Sequence, residues 1–73
     1  MKMCIYILDD GMISIYESAC GIWHTMSPFV FNENDPQLDN YNKISADEAE
    51  VQIALGIILR PPGKIQRAYV ARY

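Results

Sequence analysis

The carboxylates of this chain are the residues whose types and spacing could most readily do chemistry. All nine acidic residues lie between Asp9 and Glu50, where Lys43 is the only base, and the other five bases lie outside that stretch. The acidic stretch therefore carries a net charge of −8 and the rest of the chain a net charge of +5. Because charge asymmetry bears on partners and encounter rates, the sequence predicts two electrostatically distinct surfaces.

Three of the acids, Glu33, Asp35 and Asp39, fall within seven residues of one segment. Residues 32–43 are dense in Asn, Asp and Pro, which predicts an acidic surface loop whose side chains hydrogen-bond their own backbone. A turn and a helix start account for five other acids: Asp9, Asp10, Asp47, Glu48 and Glu50. We expect the three loop carboxylates either to be simply solvated or to dock on a basic surface of a protein partner, in which case binding weakens with salt.

The spacing of these acids does not suit a metal. An EF-hand count from Asp35 puts Asn40 where glycine is needed and Ala46 where a bidentate glutamate is needed. Cys4 and Cys20 have no zinc-ligand spacing, and the chain contains no glycine-rich phosphate loop. The sequence therefore predicts neither a metal nor a cofactor.

A catalytic pair is the next chemistry to consider, and its best candidates are Cys20 and His24. The residues around them favour a strand, which separates positions four apart by about 13 Å, whereas a nucleophile needs its base within hydrogen-bond reach. We therefore expect no enzymatic activity. A cysteine-dependent enzyme or thiol sensor at Cys20 is the remaining hypothesis of this class.

The basic C-terminal end offers a different function. Arg67, Tyr69, Arg72 and Tyr73 lie in a segment that reads as a strand, and aromatic rings beside cations can stack bases and hold phosphates. A small nucleic-acid-binding domain is therefore the alternative hypothesis. The overall negative charge weakens such binding, because attraction to phosphates supplies most of its nonspecific part.

The elements that must position these residues follow from local patterns. Residues 3–8 and 12–17 are rich in β-formers and flank Asp10-Gly11, which predicts a hairpin with a two-residue turn that pairs Leu8 with Ile13. Residues 22–26 read as a third strand, and residues 64–73 as a closing strand. Ser45 and Glu48 form a capping box for a helix from about residue 46 to 59, which Pro61-Pro62 would stop.

Together these patterns predict one α+β domain over residues 1–73, an antiparallel sheet of three or four strands packed on one α-helix. The longest apolar runs are too short for the roughly 20 residues that cross a bilayer, and no secretory signal is evident. We therefore expect a cytoplasmic protein. The uncovered sheet face and the apolar helix end favour a homodimer or docking on a larger protein.

The leading hypothesis is a non-enzymatic adaptor or inhibitor that binds a protein partner through Glu33, Asp35 and Asp39, with Trp23 as an aromatic anchor. In size and acidity the chain is similar to small phage-encoded inhibitors of host defence enzymes, including anti-CRISPR proteins. This similarity implies a blocker that competes with nucleic acid for a basic groove.

Overall fold

The computed structural model describes residues 2–17, 22–26 and 32–72, which form a five-stranded antiparallel sheet with one α-helix packed on it. The elements in chain order are β1 (Cys4–Leu8), β2 (Ile13–Glu17), β3 (Ile22–Met26), a 3-10 helix (Pro36–Asn40), β4 (Tyr41–Ser45), α1 (Ala46–Ala54) and β5 (Ile65–Ala71). The strand order is β3-β2-β1-β5-β4. The predicted fold class is confirmed, and β4 overlaps the end of the segment predicted as the acidic loop.

The hairpin between β1 and β2 forms where it was predicted, but its register is shifted by one residue. Ile7 rather than Leu8 pairs with Ile13. Gly11 has a φ of +86°, and its N–H donates to the Leu8 carbonyl at 3.0 Å. Since no non-glycine residue in the described part has a positive φ, Asp10 cannot adopt the primed turn. The loop therefore spans three residues and ends in a glycine bulge.

Helix α1 begins as predicted and ends five residues earlier. The Glu48 N–H donates to Ser45 Oγ at 3.2 Å, whereas the Glu48 carboxylate accepts from Gln52 rather than from the Ser45 amide. Gly56 has a φ of +76°, and the N–H of Ile57 reaches back to the Gln52 carbonyl. This is a Schellman ending, which stops the helix well before the prolines.

The helix covers one face of the sheet. Cys4, Tyr6 and Leu8 from β1 pack with Ala49 of α1 and with Ile58, which follows the helix. Ile65 belongs to this face, although strict alternation along β5 would put it on the same face as Arg67. A register shift between Ile7 and Leu8 pairs Leu8 with Ile65 and explains the difference.

The opposite face of the sheet carries a second buried cluster. Ile5, Ile7, Ile13 and Tyr69 form it, with Leu38 packed against them.

No helix in the described part of the chain is long and apolar enough to span a membrane. Two residues named in the sequence analysis, Cys20 and Tyr73, lie outside the described residues.

Candidate acidic groove

The segment before β4 is built from consecutive side-chain turns. The Asn34 N–H donates to Asn32 Oδ1 at 3.0 Å, and the Gln37 N–H donates to Asp35 Oδ1 at 2.9 Å. Asp35 is thus the N-cap of the 3-10 helix, and Pro36 occupies the first position, where a missing N–H is tolerated. The predicted bonding of this segment to its own backbone is confirmed.

Side-chain contacts hold this segment against the sheet. Leu38 packs onto the second buried cluster, which includes Tyr69. Glu33 forms an ion pair with Arg67 of β5, whose side chain is only 28% exposed. An acid from the negative half of the sequence and a base from the positive half therefore fasten residues 32–40 over the sheet face opposite α1.

A groove of about 480 Å³ lies between this segment and the strands. We call it the acidic groove, and it is lined by Glu33, Asn34, Asp35, Pro36, Leu38, Asp39, Tyr41, Lys43 and Tyr69. All three carboxylates that the sequence analysis singled out on the loop thus border one concave surface. Lys43 lies directly opposite Tyr69 in the pairing of β4 with β5.

The charges of the acidic groove are unequal in their surroundings. Three carboxylates and one lysine line it, which leaves a net charge of −2. Glu33 is paired with Arg67, and one oxygen of Asp35 accepts a backbone N–H. The third acid, Asp39, is exposed to solvent. Carboxylates beside tyrosine rings provide the chemistry that holds a guanidinium or ammonium group, through charge-assisted hydrogen bonds and cation–π contact.

The predicted nucleic-acid face is arranged differently from an exposed basic strip. Arg67 is engaged by Glu33 and also donates to Gln66 Oε1 at 2.6 Å. Tyr69 is 6% exposed and lies in the groove with the acids. Arg72 is exposed at the end of β5. The structure therefore puts Arg67 and Tyr69 beside carboxylates rather than in a separate basic patch.

The backbone of Trp23 lies at the edge of the sheet opposite the one that borders the acidic groove. It belongs to β3, where its Cα pairs with that of Tyr16. Strands β2, β1 and β5 separate β3 from β4, so the two edges are about 19 Å apart at the usual strand spacing. The aromatic part of the predicted docking surface and its acidic part thus begin from opposite edges of the sheet.

Sequence reasoning missed Tyr41 and Lys43 as groove residues, because both stood in a predicted loop. No period-2 pattern marks this strand, because Tyr41 and Ile44 are three positions apart and pack on opposite faces of the sheet. Asn40 and Asn42, which flank Tyr41, favour a loop and so argue against a strand at this position.

The buried thiol of Cys4 is unsuited to nucleophilic chemistry. Cys4 is 0% exposed, and its burial raises the pKa from 9.0 to about 12, although a hydrogen bond with Tyr6 acts in the opposite direction. A thiol with such a pKa holds its proton at neutral pH. Among the described residues, no group of three or more His, Cys, Asp or Glu side chains could hold a metal ion.

The fold and groove together define a small α+β protein with an acidic concave surface on the sheet face opposite its helix. No protein-family model matches the chain, and comparisons with curated proteins and with solved structures return no significant match.

Proposed function

We propose that the chain is a non-enzymatic protein-interaction module, an adaptor or inhibitor that docks on a basic surface of a protein partner through the acidic groove. The observation that carries this proposal is the convergence of Glu33, Asp35 and Asp39 on one concave surface that also contains Tyr41 and Tyr69. The turns and the Glu33–Arg67 ion pair hold the carboxylates in place before binding. Such preorganisation reduces the entropy lost on association.

The groove favours a partner that inserts arginine or lysine side chains. Each inserted cation would meet a carboxylate and a tyrosine of the groove. The carboxylates would attract the partner during encounter, and the tyrosine rings would add cation–π contact once it is bound. A protein with a basic nucleic-acid-binding groove has many such side chains. One form of the proposal is therefore a cytoplasmic inhibitor that blocks this kind of groove, as phage-encoded counter-defence proteins do.

The test removes the negative charge without removing the loop structure. Because Asp35 Oδ1 accepts the Gln37 N–H, Asp35→Asn keeps an acceptor in place, and Asp39→Asn completes the double variant. Asp9→Asn with Asp47→Asn is the matched control, since it removes the same charge from exposed positions outside the groove. Circular dichroism would verify that both variants are folded.

The assay is affinity capture of the tagged protein from native lysate, with and without nuclease, followed by titration of the recovered partner at low and high salt. We expect the groove variant to bind about tenfold more weakly or worse at low salt, and the control to bind like the parent, because two charge-assisted contacts are lost only in the former. Equal affinity of both variants at low salt would contradict the proposal. Recovery of nuclease-sensitive material alone would favour the nucleic-acid alternative instead.

A further inference from the structure

Strand β4 forms an edge of the sheet, and in the part of the chain that the structure describes it pairs with β5 alone. Asn42, Lys43 and Ser45 are exposed along it. An edge strand presents backbone donors and acceptors that another extended chain can pair with. The edge lies beside the acidic groove, because Tyr41 and Lys43 belong to both.

The hydrogen-bond pattern identifies which groups of β4 point outward. The Arg72 N–H donates to the Asn40 carbonyl at 3.0 Å, which makes this pair a hydrogen-bonded one. Hydrogen-bonded and non-hydrogen-bonded pairs alternate along an antiparallel ladder. The backbone groups of Asn42 and Ile44 therefore bond to β5, whereas the N–H and C=O of Lys43 point away from β5, toward the open edge of the sheet.

The outward groups of Lys43 are placed to receive a strand whose side chains reach the groove. A residue paired with Lys43 would exchange both backbone hydrogen bonds with it. Its side chain would share the sheet face of Lys43, since directly opposite residues lie on the same face. In an antiparallel segment, the residue two positions later would lie opposite Tyr41 and close to the acids of the loop.

Charge decides between a second copy of the chain and another protein as the occupant. Two β4 strands pairing about Lys43 would set one lysine against another, and like charges directly opposite each other are destabilising. A lysine in an edge strand is a common protection against self-pairing. A foreign segment with an acid at this position turns the same lysine into an attractive contact.

We propose that β4 accepts an extended segment of the protein partner as a sixth, antiparallel strand, with an acidic residue opposite Lys43 and a basic residue opposite Tyr41, beside Asp39. This inference rests on the proposed function, since the segment belongs to the partner that docks on the acidic groove. It adds the conformation of the partner and an acid-x-base pattern that the groove alone does not require.

Two variants of one position separate backbone pairing from side-chain charge. Lys43→Pro removes the outward N–H, and proline is tolerated at edge-strand positions whose N–H faces solvent. Lys43→Thr removes the charge but keeps the N–H. Because neither change touches the bonds of Asn42 or Ile44 with β5, we expect both variants to fold.

The probe is the blocked heptapeptide Thr-Val-Thr-Glu-Thr-Arg-Thr, titrated into isotopically labelled protein. Before peptide is added, the Lys43 amide should exchange its hydrogen at least about tenfold faster than the amides of Asn42 and Ile44, because it has no ladder partner among the described strands. Saturating peptide should slow the Lys43 amide by a similar factor. Lys43→Pro should weaken peptide binding about tenfold, whereas Lys43→Thr should weaken it by about threefold or less. A peptide in which the positions of Glu and Arg are swapped should bind the parent protein about threefold more weakly or worse.

The outcomes distinguish this inference from the function on which it rests. Peptide that shifts groove signals equally in Lys43→Pro and leaves the Lys43 amide unprotected would overturn strand addition while leaving groove docking intact. A slow Lys43 amide before peptide is added, or no binding at millimolar peptide, would also overturn it. Failure of groove docking itself is measured separately, by equal partner affinity of the Asp35/Asp39 variant and its control.

Discussion

Alkaline pH should destabilise the folded protein through the buried thiol of Cys4. This residue lies in β1, where burial raises its pKa from 9.0 to about 12. Tyr6, two residues on and also buried, has its pKa raised by burial and by the neighbouring thiol. Both groups must therefore remain protonated in the core while the same groups in the unfolded chain ionise.

The direction and size of the effect follow from proton linkage. Between pH 9.0 and about 12 the folded protein keeps the Cys4 proton that the unfolded chain loses, so the free energy of unfolding falls as pH rises. At about pH 10.5, roughly 1.5 units above the unfolded pKa, the Cys4 term is about 2 kcal/mol at 1.36 kcal/mol per unit. Tyr6 acts in the same direction once the pH rises above 10.0, the ordinary pKa of its hydroxyl.

Urea unfolding followed by far-ultraviolet circular dichroism at about pH 7 and pH 10.5 would measure this term. The matched variant is Cys4→Val, which is apolar and suits a strand but cannot ionise. The parent should lose about 2 kcal/mol more than the variant between the two pH values. Equal losses would show that Cys4 does not carry the alkaline sensitivity and would refute the reasoning from burial.

Two further predictions concern the end of the helix. Ile58→Ala should lower the free energy of unfolding by about 2 to 5 kcal/mol, because Ile58 is 1% exposed in the core, whereas Leu55→Ala at a 69% exposed position should change it by about 0.5 kcal/mol or less; similar losses in urea unfolding would contradict the assigned packing. Gly56→Ala should cost about 1 kcal/mol, because φ is +76° there; Gly56→Asn should cost less, and a raised melting temperature for the alanine variant would contradict the Schellman ending.

Local rules predicted the element types well and their ends less well. The run from Leu55 to Leu59 looks like a continued helix because all of its residues except Gly56 are strongly apolar and continue the pattern of α1. The structure instead uses Gly56 to leave the helix, which lets Ile58 turn into the core while Leu55 remains exposed. If the helix continued through this region, its apolar side chains would point in several directions. The sheet could cover only one side of such a helix, so the others would stay exposed.

The hairpin shows the same limit at a finer scale. Asp10-Gly11 correctly predicts a tight turn, but two- and three-residue loops both place glycine at a positive φ. The choice between them is made by which face of β2 must meet the core. The observed register pairs Ile5 with Ile15 and Ile7 with Ile13, which collects the four isoleucines on one face. A shift of one residue would have divided them between the two faces.

The acidic groove was half predictable. The proximity of Glu33, Asp35 and Asp39 follows from sequence spacing alone, and the Asn- and Asp-rich composition indicates the turns that hold them. The tyrosine wall comes instead from long-range pairing, since Tyr69 and Tyr41 belong to adjacent strands separated in sequence by α1. No local pattern could indicate that the C-terminal strand would lie between β1 and β4 rather than at the edge.

The ion pair between Glu33 and Arg67 changes what the charge segregation of the sequence means. A chain with −8 in one stretch and +5 outside it suggests two opposed surfaces, yet the fold brings one base under the acidic loop and uses it to hold that loop. The groove acids other than Glu33 are Asp35 and Asp39, and the base that lines the groove with them is Lys43 on the open edge. A partner that docks there as proposed would therefore meet a negative groove bordered by Lys43, and this order of signs would favour a segment whose own charges alternate over a uniformly basic one.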